Sequence, residues 1–197
     1  MKDKHRLMEF ADNNIVKLGK ELSELDKIVI RFIDILKEYT TYVIVSGYVA
    51  ILLGRDRGTE DIDIIIPKKT KNELKLLCEG LAKNGYWCLN SSDLDDIYDA
   101  LISKHSVRFA IEPSVSPNFE IKFSKDLYDN IALKNPLIIK VGNKELKTSF
   151  LELQIAYKEE VLKSNKDMED ARHIRLVAKG NLNENLVNEY KKQLRRK

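Results

Sequence analysis

The spacing of hydrophobic residues predicts helices at both ends of the chain and strands between them. From residue 14 to residue 38, apolar side chains recur every three or four positions, which predicts an amphipathic helix with one buried face. The apolar positions of this helix are Leu18, Leu22, Leu25, Val29, Phe32 and Leu36. Alternation of apolar and polar residues predicts strands over Asp61–Ile66 and over residues 119–124.

The remaining segments complete an α+β arrangement. Runs of β-branched and aromatic residues bounded by turn residues predict further strands at residues 40–45, 86–89, 107–112, 137–141 and 145–147. Helical spacing and stop signals predict helices at residues 48–53, 70–84, 93–102, 150–163, 166–179 and 183–196. We therefore expect a small mixed sheet, with strand 61–66 near its centre and helices on one face. Residues 1–147 would form this core with its N-terminal helix, and residues 148–197 a helical portion packed on the cleft, as a single compact unit.

Composition limits the possible partners. The chain has 197 residues, of which 43% are hydrophobic and 33% charged, values typical of a folded unit and not of a disordered chain. Its 34 basic and 31 acidic side chains leave a net charge of +3, so the overall charge does not indicate a nucleic-acid binder. Five basic side chains fall between residues 190 and 197. They are typical of a solvated helix end, and an RNA contact is the alternative.

Several features predict a cytoplasmic location without membrane association. Residues 1–9 are charged and lack the apolar segment of a secretory signal. The apolar runs at residues 43–45 and 62–67 are too short to cross a bilayer. Cys78 and Cys88 lack the spacing of a metal site, so we expect reduced thiols packed in the fold. The sequence leaves the oligomeric state open.

The first candidate site is the Asp-x-Asp motif of strand 61–66. Because side chains alternate along a strand, Asp61 and Asp63 share one face and the isoleucines between and after them share the other. Two neighbouring carboxylates repel each other, and a divalent cation relieves that repulsion. Carboxylate and phosphate oxygens are the usual ligands of Mg²⁺. The alternative is a strand edge with two solvated aspartates.

A second candidate lies upstream, where a predicted strand ends at Ser46-Gly47 and a short helix follows. Such a junction presents free backbone N–H groups, which suit a phosphate group. The alternative is a glycine needed only for steric reasons. The combination of this junction, the loop Arg57-Gly58-Thr59 and the Asp-x-Asp strand is more specific than any one of them.

The segment SGYVAILLGRDRGTEDIDII, residues 46–65, resembles the signature of the polymerase-β-like nucleotidyltransferase superfamily. It is most similar to stand-alone prokaryotic members, the minimal and abortive-infection toxin-type nucleotidyltransferases. The resemblance implies a nucleotidyltransferase-type sheet, an NTP substrate and two metal ions, Mg²⁺ or Mn²⁺, bound by Asp61 and Asp63. Ser46, Gly47 and Thr59 would then contact the nucleotide. The signature usually has glycine followed by serine or glycine, whereas here Ser46 precedes Gly47.

A third carboxylate is needed to complete such a metal site. Glu120 alternates with apolar residues in its predicted strand, as the Asp-x-Asp acids do, and the resembled family places its third acid on a strand of this kind. Glu112 is the competing candidate, but Pro113 follows it directly and indicates a strand end. We favour Glu120. An exposed strand acid without a role is the alternative for either residue.

The C-terminal helices provide two further candidates. Lys158 falls on the apolar side of helix 150–163, where a charged group needs a partner, and Asp167 begins the next helix. Residues 151–174 resemble the family's C-terminal motifs, in which a lysine and a later aspartate approach the nucleotide. The alternatives are a lysine whose amine reaches solvent past the core, and an aspartate that compensates a helix N-terminus.

The sequence therefore predicts metal-dependent transfer of a nucleoside monophosphate from an NTP to an acceptor hydroxyl. Asp61, Asp63 and Glu120 would be the catalytic metal ligands, with RNA or a partner protein as the acceptor, as in a toxin–antitoxin-like system. A catalytically inactive nucleotidyltransferase-fold binding protein, acting as an antitoxin or scaffold, is the alternative.

Overall fold

The computed structural model describes residues 8–11 and 14–195. Within them the chain forms nine strands, eight α-helices and one π-helical turn. The strands are β1 (Met8–Ala11), β2 (Ile15–Leu18), β3 (Val43–Val45), β4 (Asp61–Ile66), β5 (Tyr86–Cys88), β6 (Val107–Ile111), β7 (Asn118–Phe123), β8 (Leu137–Val141) and β9 (Lys144–Thr148). The helices are α1 (Glu24–Leu36), α2 (Gly47–Leu52), α3 (Lys71–Lys83), α4 (Leu94–Ile102), α5 (Leu127–Lys134), α6 (Leu151–Tyr157), α7 (Asn165–Val177) and α8 (Glu184–Leu194), and the π-helical turn is Lys158–Leu162.

All nine strands belong to one mixed sheet, in the order β1-β2-β8-β9-β3-β4-β7-β6-β5. The Asp-x-Asp strand β4 is sixth in this order, between its antiparallel neighbour β3 and its parallel neighbour β7. The predicted α+β class with a mixed sheet is confirmed. The sheet is larger than the small one expected, because β1, β2, β8 and β9 extend it beyond β3. No helix in the described part of the chain is long and apolar enough to cross a membrane.

The helix predicted over residues 14–38 begins only at Glu24. Ser23 is its N-cap: the hydroxyl of Ser23 accepts from the N–H of Asp26, and the carboxylate of Asp26 accepts from the N–H of Ser23. Residues 15–18 instead form β2, which pairs in parallel with β8. The prediction was wrong here because a residue such as Leu18 fits a helical spacing and a strand alternation equally well, and pairing with distant β8 decides between them. The predicted features of residues 1–7, 196 and 197 lie outside the described residues.

Helix α5 was not predicted. It begins after Asp126, whose carboxylate accepts hydrogen bonds from the backbone N–H groups of Tyr128 (2.9 Å) and Asp129 (3.1 Å). An aspartate in this position is a recognised helix start signal. With only eight residues, the helix gives a weak periodic pattern, and its position depends on packing of buried Tyr128 and Ala132.

The sheet separates a hydrophobic core from a polar face at β4 and β7. On one face Ile62, Ile64 and Ile66 are buried beside their β7 neighbours, of which Phe119 is stacked on Phe32 of α1 at a centroid distance of 3.7 Å. Burial of each large side chain of this kind contributes about 1.5–3 kcal/mol. The core therefore fixes which face of β4 carries the aspartates.

Helix α3 is packed closely against Tyr39, which supplies a test of the fold. A Cβ atom added to Gly80 would overlap the Tyr39 ring. In an exposed helix, Gly→Ala stabilises by about 1 kcal/mol. We expect Gly80→Ala to destabilise by about 1–3 kcal/mol instead, because the inserted methyl group overpacks the contact. Urea unfolding measures this difference.

In a Tyr39→Ala background the same Gly80→Ala change is expected to stabilise the protein, because the ring that the added methyl group would overlap is absent. Gly58→Ala is the control, because no atom lies within 4 Å of a Cβ built there. A stabilising Gly80→Ala in the wild-type background would contradict the close packing.

Candidate active site

The pairing of β4 with β7 brings the predicted acids to one face. Asp63 lies directly opposite Glu120, and Asp61 opposite Asn118. Paired residues of neighbouring strands point to the same face, and the strands are about 4.7–4.9 Å apart. Asp61, Asp63 and Glu120 therefore share the face opposite the core. The competitor Glu112 is exposed and follows the end of β6, a strand that is separated from β4 by β7.

Basic side chains accompany these acids. The Nζ atom of Lys122 lies 3.7 Å from Asp63, and the Nε atom of Arg108 lies 3.3 Å from Glu120. Within residues 8–11 and 14–195, no three His, Cys, Asp or Glu side chains are close enough together to hold a metal ion. The carboxylates fit a divalent metal by ligand type and by strand register. Binding of an ion by Glu120 would compete with its contact to Arg108.

The environment of Asp63 favours its protonated form. Burial raises the pKa of the Asp63 carboxyl, and the charges of Glu120 and Asp61 raise it further. Lys122 and a hydrogen bond from the Ser46 hydroxyl act in the opposite direction. Because the ionised form is disfavoured overall, an additional cation at this position would stabilise the site.

Ser46 connects β3 to α2 with an unusual backbone conformation. Its φ is 64° and its ψ is −135°, a region that glycine favours and that costs other residues about 1–3 kcal/mol. Ser46 occupies the position where the resembled signature usually has glycine. Strain of this kind persists only where the surroundings impose it, and here Ser46 and Asp63 line the same cavity.

The remaining predicted nucleotide-binding residues have other contacts. Thr59 donates from Oγ1 to the backbone carbonyl of Asp61 (3.0 Å), at the start of β4. Lys158 is fully buried, and its Nζ atom lies 3.3 Å from Asp167 and 2.8 Å from Asp170. Burial lowers the pKa of Lys158, and Asp167 raises it. The roles of Thr59, Lys158 and Asp167 in nucleotide binding stay predictions.

Sequence reasoning missed Arg57 and Asp170 as site residues. Asp170 of α7 is fully buried and accepts hydrogen bonds from Lys158, Arg57 and Arg55. The available signal was an acid on the apolar side of a helix, together with two arginines in a polar loop. That signal does not show that the loop and the helix meet.

A cavity of about 290 Å³ opens beside Asp63 on the polar face of the sheet. Helices α5 and α6 contribute to its walls, so helices also lie on the side of the sheet opposite α1. Apolar and polar side chains both line it: Val45, Ser46, Asp63, Ile65, Lys122, Lys125, Tyr128, Asp129, Ala132, Ser149, Leu153, Gln154, Tyr157 and Leu162. A concave site with a few polar groups on apolar walls is typical of a small-molecule pocket.

Two solved structures share this architecture. A solution structure of the antibiotic-resistance factor ANT(2'')-Ia aligns over 87% of this chain and 93% of that chain, with a TM-score of 0.51 and 15% identity. The crystal structure of ANT(2'')-Ia in complex with adenylyl-2''-tobramycin aligns over 88% of this chain and 98% of that chain, with a TM-score of 0.53 and 14% identity. No protein-family model matches the sequence, and no curated protein matches it.

The fold of this chain is that of the two ANT(2'')-Ia structures. At these identities the likeness establishes the fold alone. It agrees with the resemblance noted in the segment from Ser46 to Ile65.

The strain at Ser46 can be measured by comparing two substitutions. Ser46→Gly and Ser46→Ala both remove the hydroxyl, and they differ in the Cβ atom at positive φ. We expect the glycine variant to be the more stable by about 1 kcal/mol, because the left-handed region penalises a Cβ more than glycine loses in chain entropy. Equal stabilities in urea unfolding would show that the turn is unstrained.

The raised pKa of Asp63 predicts a pH-dependent effect of Asp63→Asn. A folded-state pKa above the unfolded value of 3.8 means that the ionised carboxylate destabilises the fold at pH 7. Asp63→Asn should therefore stabilise the protein at pH 7, and its advantage should shrink as the pH falls through the folded pKa toward 3.8. Free energies of unfolding in urea between pH 7 and pH 4 measure this change.

Asp56→Asn is the control for that series, because Asp56 is exposed and is not among the charges that shift the pKa of Asp63. A pH-independent destabilisation by Asp63→Asn would identify the carboxylate as a structural group and remove the argument for a cation site.

Proposed function

We propose that this protein transfers a nucleoside monophosphate from an NTP to an acceptor hydroxyl. One observation carries the proposal: the register of β4 and β7 gives Asp61, Asp63 and Glu120 a common face of the sheet, and Asp63 lines a cavity together with the strained Ser46. The solved structures that share this fold belong to a nucleotidyltransferase, which supports the same class of reaction here.

The proposed reaction is an in-line displacement at the α-phosphorus of the NTP, with pyrophosphate as the leaving group. Asp61 and Asp63 would hold the metal ions, of which two are expected, and Glu120 would complete the site on the acceptor side. Bound Mg²⁺ or Mn²⁺ would supply charge neutralisation at the phosphates and a lowered pKa of the acceptor hydroxyl. The chain itself contributes orientation, by fixing the substrate between the Ser46-Gly47 turn and the acids.

The cavity beside Asp63 is suited to the nucleoside part of the substrate. Apolar side chains such as Ile65 and Leu153 offer surfaces to a base or sugar, and the side chain of Gln154 offers hydrogen bonds. Because Asp63 and Ser46 both line the cavity, a nucleoside bound there could have its α-phosphate beside the Asp63 carboxylate.

The acceptor could be a macromolecule or a small molecule. RNA or a partner protein, predicted from the sequence, stays a prediction, as do the toxin-type relationship, the cytoplasmic location and the division at residue 148. Two observations favour a smaller acceptor. Lys191 and Arg195 of the basic tail are paired with Glu159 and Glu160 of the π-helical turn, and these glutamates reduce the positive charge that the tail offers to an RNA backbone. ANT(2'')-Ia was solved with adenylyl-2''-tobramycin, in which an adenylyl group is joined to a small molecule.

An inactive nucleotidyltransferase-fold binding protein, an antitoxin or scaffold, is the second candidate. The specific observation in its favour is that Arg108 and Lys122 already neutralise Glu120 and Asp63. A permanent pairing of this kind would leave no place for a metal.

Incubation with each α-³²P-labelled NTP distinguishes the two candidates. We expect label to move to an acceptor when Mg²⁺ or Mn²⁺ is present, with total RNA, total protein and a panel of small alcohols tested separately. Glu120→Gln should lower transfer by about 100-fold or more, since even outer-sphere partners of a metal are worth about 10–100-fold.

Glu112→Gln is the matched control, because it makes the same chemical change at the exposed acid at the end of β6. It should retain full transfer. Equal losses in the two variants would remove Glu120 as the third metal ligand. Absence of transfer from every NTP, together with Mg-NTP binding that is unaffected by Asp61→Ala in calorimetry, would favour the inactive binding protein.

A further inference from the structure

Three basic side chains converge on one buried carboxylate at the junction of the sheet and the C-terminal helices. Asp170 Oδ2 accepts from Arg57 Nη1 and from Lys158 Nζ, each at 2.8 Å, and Asp170 Oδ1 accepts from Arg55 Nη1. Asp170 and Lys158 are fully buried. Charge-assisted hydrogen bonds of this kind fix side-chain positions strongly.

Arg57 is the member of this cluster that reaches the Ser46-Gly47 turn. A Cβ atom built on Gly47 would lie 2.5 Å from Arg57 Nη2, so the guanidinium rests directly against the backbone of the turn. Arg57 Nη1 is bonded to Asp170, and Arg57 Nε donates to the carbonyl of Gly58 at 3.3 Å. Among the described residues, Arg57 Nη2 has no hydrogen-bond acceptor.

Arg55 provides an internal comparison. It is two residues away and also donates to Asp170, but its Nη2 atom is already paired with Glu169. The side-chain exposures of the two arginines are similar, 13% for Arg55 and 16% for Arg57. The two guanidinium groups have different neighbours: that of Arg57 lies against Gly47, and that of Arg55 is paired with Glu169.

We propose that Arg57 binds the polyphosphate of the nucleotide through Nη2, and that Asp170 is the residue that positions Arg57 at the Gly47 turn. This inference rests on the proposed function and adds the cation that the phosphate site requires. Lys158 shares Asp170 with Arg57 but is enclosed by Asp167 and Asp170, and it acts as their internal counter-ion. Gly47 has the role of leaving space for the guanidinium.

The electrostatics of the turn agree with this assignment. Burial and the nearby charge of Arg55 lower the pKa of Arg57, so a bound anion would compensate a guanidinium that its surroundings otherwise disfavour. The charges of Asp167, Asp61 and Asp63 raise the pKa of Arg57 and act in the opposite direction.

Calorimetry on the full chain tests the inference with three probes: ATP with Mg²⁺, inorganic tripolyphosphate, and adenosine. Arg57→Met should weaken ATP and tripolyphosphate binding by about 10- to 100-fold, the loss expected for one charge-assisted hydrogen bond. Its adenosine affinity should equal that of the wild type. Gly47→Ala should have the same effect, since the added methyl group displaces the guanidinium without removing its charge.

Arg55→Met is the matched control and should change ATP affinity by less than about threefold, although both arginines share Asp170. Asp170→Asn tests positioning. As a single variant, Asp170→Asn should weaken ATP binding. Combined with Arg57→Met it should cause little further loss, because both changes remove the same contact. Additive losses would identify Asp170 as a structural residue without a positioning role. If Asp170→Asn does not fold, Gly47→Ala decides the assignment.

The outcomes separate this inference from the proposed function. If the wild type binds Mg-ATP in an Asp63-dependent manner while Arg57→Met and Gly47→Ala bind it equally well, the Arg57 assignment is overturned and the proposed function stands. If the wild type binds tripolyphosphate through Arg57 but transfers no label from any NTP, the phosphate site stands and the proposed function fails. Absence of tripolyphosphate and ATP binding in the wild type overturns the assignment.

Discussion

The parallel pairing of β4 with β7 aligns Ile62 with Phe119 on one face of the sheet and Asp63 with Glu120 on the other. A slip of one residue would expose the phenylalanine and bury the acids, so the hydrophobic core enforces the register. Phe32 of α1 stacks on Phe119 and thereby holds that register in place. The geometry of the candidate site is in this sense a consequence of core packing.

The turn between β3 and α2 is held from two sides by buried acids. Asp26 of α1 is paired with Lys20 and accepts from the Tyr48 hydroxyl at 2.7 Å, and this hydrogen bond connects α2 to α1. Asp170 of α7 holds Arg57 against Gly47 from the other side. Buried charges of this kind are tolerated only when they are paired, so each contact also specifies how the helices pack on the sheet. The strained conformation of Ser46 lies between these two anchors.

Charge is closely balanced across the candidate site. Glu120 is paired with Arg108 and Asp63 with Lys122, while Asp170 neutralises cations from the loop and from the π-helical turn. Binding of a metal–nucleotide complex would therefore exchange one set of ion pairs for another. Such an exchange costs less than placing new charges in an unprepared pocket, because the polar groups are already in place.

The sequence by itself determined the elements whose signals are local. The alternation in β4 located Asp61 and Asp63, the Ser46-Gly47 junction located a turn, and the alternation around Glu120 correctly predicted a strand with its acid on the polar face. Tertiary structure decided everything that depends on contacts between distant segments. Residues 15–18 became a strand because β8 pairs with them, Glu120 became the neighbour of Asp63 through the β4–β7 register, and Arg57 met Asp170 across 113 positions of the chain. Local periodicity carries no information about which segments meet, since that choice is made by burial and charge pairing in the folded chain.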